Sequence, residues 1–198
     1  MVFYIMKNIF LSASIPLPER HAKYYETADI IAIRESLIAL TSIVLPHHRI
    51  IWGGHPSITP LVNYVMEKMN LNIQEHVKLY QSLFFKDIFP TDNNKFENIE
   101  FTENMGDIHS SIQRMRERMF SENEFAAAVF IGGMDGIEVE YKMFKELHPE
   151  ALLLPIASTG AATKIVYDSL LPEQFKEERL LNDYGYTSLF QKLLIDKI

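Results

Sequence analysis

Cysteine is absent from the 198 residues. That excludes disulfides, thiolate metal sites and a cysteine nucleophile, and it fits a reducing compartment. No apolar run approaches the ~20 residues needed to span a bilayer, and the apolar residues around Lys7 lead to no small-residue cleavage site. Basic excess is missing too. With 19 Lys and Arg against 26 Asp and Glu, the net charge is -7, the wrong sign for neutralising a nucleic-acid backbone. These absences predict a cytoplasmic protein with no membrane partner and no long nucleic acid; any nucleotide it binds is small. No internal repeat or low-complexity segment is evident. The length and a hydrophobic content of 47% suit a single α/β domain over residues 1–198.

What is present is organised around residues 127–141. Ala127 to Ile131 is a short apolar run of the kind that forms a parallel strand covered on both faces. Gly132, Gly133 and Gly136 then allow a sharp turn and leave room for a ligand. The helix that follows offers free N–H groups to an anion at its start. Asp135 can cap that helix, and Glu140 falls about one turn in, at the edge of the same opening. A carboxylate there repels phosphate, so it serves a ligand only by facing a sugar hydroxyl or a leaving group. A Gly-Gly turn between strand and helix can also be purely structural. A second such turn earlier in the chain shifts the balance towards a ligand.

From the N-terminus, residues 8–14 read as a buried strand ending in the small hydroxyl residues Ser12 and Ser14. Pro16 and Pro18 enforce a loop, in which Arg20, His21, Lys23, Tyr24 and Tyr25 suit phosphate and base contacts or a simple solvated surface. Residues 27–45 read as a helix with Thr27 as N-cap and apolar residues on nearly every face. One face covers the sheet and another meets a partner subunit, which predicts a homodimer or higher homo-oligomer. Residues 49–60 repeat the central arrangement: a strand, Gly53 and Gly54, then a helix capped by Ser57 or Thr59 with Pro60 in its first turn. His55 can donate to a phosphate or hydroxyl, and no second ligand stands at metal spacing around it, so no metal is expected.

Residues 77–82 read as a third strand whose end carries Gln81 and Ser82, and residues 98–102 as a short fourth. A helix over residues 107–123 carries Arg114, Arg116 and Arg118, whose i, i+2 spacing lets one or two of them at most reach a common site. Residues 151–156 form another buried strand, followed by Ser158, Thr159 and Gly160, a third small-residue turn that completes a phosphate cradle or caps a helix. After a turn at residues 183–185, a terminal amphipathic helix ends the chain. The alternation predicts a Rossmann-like three-layer fold with a mainly parallel sheet of at least five strands flanked by helices. Ser12, Gly53, Gly133 and Ser158 then share the edge where doubly wound sheets hold ligands.

These motifs carry a resemblance. Gly132, Gly133, Gly136 and Glu140, preceded by the helix with Met115, Arg116 and Met119, resemble the signature of the Lonely Guy (LOG) phosphoribohydrolases. Together with residues 11–16, 53–60 and 158–162, the chain more closely resembles the wider SLOG superfamily. That superfamily joins LOG enzymes, DNA-processing Smf proteins and sensor domains of anti-phage conflict systems, including the Thoeris effectors. The resemblance spans residues 8–170 and leaves residues 171–198 as a C-terminal helical extension. Departures from LOG are specific: Ile137 stands in place of Thr, Met134 and Asp135 replace a single residue, and Met119 follows Arg116 one position early. The resemblance implies a nucleotide-derived ligand, such as ADP-ribose, cyclic ADP-ribose or another NAD-derived signal, with no cofactor and with an effector protein as a possible partner. Two readings stay open. In a sensor, Arg116 contacts phosphate and Glu140 the ribose hydroxyls. In an N-glycosidic hydrolase, Arg116 anchors phosphate and Glu140 stabilises an oxocarbenium-like transition state or activates water.

Overall fold

The structure is a computed structural model describing residues 5–69 and 74–198. Six strands, β1 (Asn8–Ser14), β2 (Arg49–Trp52), β3 (Val77–Ser82), β4 (Ile99–Thr102), β5 (Ala127–Gly132) and β6 (Leu152–Ile156), form one sheet in the order β4-β3-β2-β1-β5-β6. Every neighbouring pair is parallel, so all the carboxyl ends reach the same edge. β5 is buried along its whole length, as expected for a continuous apolar run covered on both faces.

The helices are α1 (Ala22–Tyr25), α2 (Ile30–Val44), α3 (Thr59–Met69), α4 (Ile108–Ser121), α5 (Asp135–Leu147), α6 (Ala161–Ser169), α7 (Glu178–Asn182) and α8 (Tyr186–Leu193). α4, α5 and α6 lie side by side over one face of the sheet, and α2 lies between α3 and α8 over the other. Side chains of alternate parity on β1 hold the layers together. Phe10 packs edge-on against Phe120 of α4 at 4.8 Å and stacked on Phe144 of α5 at 5.5 Å, geometries that aromatic quadrupoles favour. This is the Rossmann-like three-layer α/β fold, with six strands where at least five were expected. Among the described residues no helix is long and apolar enough to cross a membrane.

Two local expectations are corrected. Thr27 does not cap α2, because its hydroxyl accepts from the Ala161 N–H at the start of α6; Asp29 caps instead, accepting from Ala32 N at 2.8 Å. The terminal helix, by contrast, follows its expected turn, where Asp183 accepts from Gly185 N at 2.6 Å, as α8. The second apolar face of α2 is covered within the chain by α8, whose Leu189 and Phe190 are fully buried. The apolarity of α2 therefore does not by itself require a partner subunit.

Candidate functional site at the strand ends

From β1 the chain moves outwards through β2, β3 and β4, then crosses back to place β5 on the other side of β1. In open α/β sheets such a reversal marks the crevice where ligands bind, and here it falls at the carboxyl ends of β1 and β5. The strand ends on either side are in register, with Ser12 opposite Phe130 and Ser14 opposite Gly132.

Three polar side chains converge on that point. The Ser12 hydroxyl donates to Glu140 Oε2. Arg116 Nε donates to Glu140 Oε1 at 3.0 Å, and Arg116 Nη2 reaches the Gly136 carbonyl at 3.4 Å. Gly136 and Glu140 lie four residues apart on α5 and so present to the same side of the helix. The two ionic side chains are mostly buried, at 14% and 17% exposure. Among the described residues Arg116 Nη1 makes no hydrogen bond. Arg116 is aimed here because Met115 and Met119 anchor α4 in the core, with the Met115 methyl so close to Gly53 that a Cβ there would lie 2.9 Å from it.

The β5–α5 turn supplies the wall of the crevice. Gly132 and Gly133 have φ of 60° and 75°, conformations that L side chains rarely adopt. Gly133 N donates to the Ser14 carbonyl at 2.8 Å, which draws the turn against β1. Asp135 is exposed in the first turn of α5; the cap position belongs to Met134, which makes no side-chain cap bond. An acidic group favours a helix start through the dipole, yet it opposes a phosphate placed beside it.

Next to this cluster, Gly54 has φ of 65° and lies against the Gln81 amide. His55 Nδ1 accepts from Ser57 N at 3.2 Å and lies 2.8 Å from Ser57 Oγ, while Ser57 Oγ accepts from Ile15 N. The loops after β1 and β2 are thereby joined. Those bonds place the proton of the neutral ring on Nε2, and burial, reinforced by the Arg20 charge, pushes the His55 pKa down.

Five predicted contact residues face inward instead. Thr59 is fully buried, its hydroxyl accepting from His55 N at 3.3 Å and Trp52 Nε1 at 3.4 Å. Ser82 accepts from Phe84 N at 3.3 Å. Ser158 bonds the Tyr186 hydroxyl at 3.1 Å, and burial pushes that phenol up to about 12. Thr159, fully buried, accepts from Gly132 N at 2.9 Å and donates to the Ile156 carbonyl at 2.6 Å. Gly160 has φ of 70°, and a Cβ there would collide with the Thr27 carbonyl. Small hydroxyl residues at strand ends read alike whether they meet a ligand or tie two loops together. The tie between Tyr24 and Glu138, 2.6 Å long, went unforeseen; an acidic residue in the first turn of α5 was its one local signal.

Two surface depressions lie elsewhere, beside Tyr141, Lys145 and Leu170 and beside Ala39, Tyr184 and Thr187. Neither gathers the convergent polar groups found at the strand ends, and that convergence is the better guide to a ligand site. Among the described residues no group of His, Asp and Glu is arranged to hold a metal ion.

Residues 23–194 match the family model of the SLOG cluster3 family. The chain belongs to that family. The matched span runs through α7 and α8 and so includes most of residues 171–198. The SLOG chain is also similar to a solved X-ray structure of TM1055, a structural genomics target, at a TM-score of 0.55 and 13% identity, over 88% of this chain and 89% of that one. At that identity the likeness concerns the fold. No curated protein sequence matches the chain.

Proposed function

We propose that this SLOG domain is a sensor module for a small nucleotide-derived ligand, of the ADP-ribose, cyclic ADP-ribose or NAD-derived kind, bound across the carboxyl ends of β1, β2 and β5. The observation that carries the reading is the Ser12–Glu140–Arg116 network at the strand reversal. Arg116 Nη1 can donate to a phosphate without giving up its bond to Glu140. A carboxylate has about four acceptor sites, so Glu140 can accept from a ribose hydroxyl while keeping Ser12 and Arg116. The likeness to SLOG sensors of anti-phage systems supports a signalling role, with an effector protein as the output partner.

A LOG-like N-glycosidic hydrolase is the second reading, favoured by the Arg116–Glu140 pair at the positions of the LOG signature. It asks more of the site. A proton taken up by Glu140 would leave the mostly buried Arg116 guanidinium without its counter-charge, a cost that a binding role avoids.

Calorimetry with ADP-ribose and AMP, run beside a base-release assay, tests the choice. Wild type is expected to bind without releasing base, and Arg116→Ala to weaken binding roughly tenfold to a hundredfold, the loss of a charge-assisted bond to phosphate. Base release that Glu140→Gln removes while binding persists would establish the hydrolase instead. Unchanged affinity in both variants would place the site elsewhere.

A further inference from the structure

Gln81 is 5% exposed, and its side-chain amide makes no hydrogen bond among the described residues. A buried amide left unpaired is costly, and native structures rarely leave one without a partner. Among the described residues, the unpartnered polar atoms fully sealed from solvent belong to Asn93 and Thr102. The Gln81 amide is outside that set, so the little surface it keeps includes its polar tip. That tip lies where a Cβ on Gly54 would be, and Gly54 follows the carboxyl end of β2. Continuing the pairing of Trp52 with Leu79 brings Gly54 level with Gln81. Glycine at that position is what leaves the amide room.

The geometry points to Gln81 as the residue that reads the base of the ligand, and to a base whose edge offers a donor beside an acceptor, as adenine does. An amide presents one acceptor oxygen and one donor nitrogen in a plane, and it pairs bidentately with the adenine N6 and N7 atoms. The matching edge of guanine offers two acceptors and leaves the amide oxygen unpaired. β3 stands two strands from β1, roughly 10 Å at ordinary strand spacing. Gln81 shares the face of Leu79 and Trp52, whereas Ser12, one residue on from Leu11, points to the face of α5. The proposed ligand therefore lies over the strand-end edge, with its base at Gln81 on one face and its sugar phosphate at Ser12, Glu140 and Arg116 on the other. The inference rests on the binding reading above and adds the identity of the base.

The test uses three probes on the full chain: AMP, GMP and ribose 5-phosphate. Wild type is expected to bind AMP more tightly than GMP. Gln81→Met, similar in length but unable to pair, is expected to weaken AMP roughly tenfold or more while leaving ribose 5-phosphate unchanged. In the absence of ligand the same variant is expected to melt at the wild-type temperature or above, because it removes an unpaired buried amide. A structural amide would lower the melting point instead, and that result overturns the inference. So does AMP affinity unaffected by Gln81→Met, or equal preference for AMP and GMP. If ribose 5-phosphate binds and weakens with Arg116→Ala while Gln81→Met has no effect on AMP, the base assignment alone fails. If wild type binds none of the three probes, the binding reading fails with it.

Discussion

Arg116 and Glu140 stabilise each other because each is mostly withdrawn from water and, among the described residues, neither has another charged partner at bonding distance. Arg116→Ala leaves a carboxylate held by Ser12 alone and is expected to lower stability by about 1–3 kcal/mol. Glu140→Gln keeps one acceptor oxygen for Arg116 Nε and sets an amide NH2 against Ser12, whose hydroxyl can accept instead of donate, and should cost less. Urea unfolding of both single variants and the double variant checks this: the double variant should lose less than the sum, since the second change removes a group the first has already stranded. Additive losses would mean that the pair contributes nothing as a pair. His55 supplies a pH dependence of definite sign. Its folded pKa lies below the ordinary 6.5, so the unfolded chain binds the proton more readily. The stability it contributes is complete above about 6.5 and is lost as pH falls through the folded value. Melting temperatures between about pH 7 and pH 5 should therefore fall less steeply in His55→Asn than in wild type; identical slopes would refute the assignment.

At the scale of elements, the sequence made strands and glycine turns easier to read than caps. β1, β3 and β5 follow from short apolar runs with punctuating small residues, and the strand boundaries agree within a residue or two. Caps failed because a hydroxyl has more than one eligible partner. Thr27 sits before a helical pattern as a cap should, yet its oxygen is taken by Ala161, far away in sequence. The same ambiguity left the third turn half read: Ser158, Thr159 and Gly160 were correctly placed at the strand ends, but they face inward. The convergence of Arg116 on Glu140 was legible from motif resemblance and not from spacing, since nothing local to α4 says which of its three arginines turns towards α5. A contrast between two glycines tests the turn geometry. Gly160→Ala combines a backbone cost of about 1–3 kcal/mol with collision against Thr27, whereas Gly106, at φ of 91°, has nothing within 4 Å of an added Cβ. Denaturant midpoints should fall for Gly106→Ala and fall further for Gly160→Ala. Equal effects would mean that the Thr27 loop yields freely.

For the whole molecule, α8 belongs to the core. Leu189, Phe190 and Leu194 are each fully buried, and burying one such side chain stabilises by about 1.5–3 kcal/mol. Three together rival much of the about 5–15 kcal/mol that holds an ordinary domain folded. A chain ending at residue 182 is expected to lose cooperative thermal unfolding and to bind a hydrophobic dye through the bared face of α2. A sharp, near wild-type transition would show that α8 is dispensable.

The bond between Ser158 and Tyr186 joins that helix to the turn after β6, and Thr159 joins the same turn to Gly132. α8 packs against α2, on the opposite side of the sheet from Arg116 and Glu140. A shift of α8 along α2 must either break the bond to Ser158 or carry the β6 turn with it, and through Thr159 that turn bears on the glycine wall of the crevice. The C-terminal helix is thus tied, through one turn and two hydroxyl bonds, to the glycine turn that closes the strand ends on the other side of the sheet.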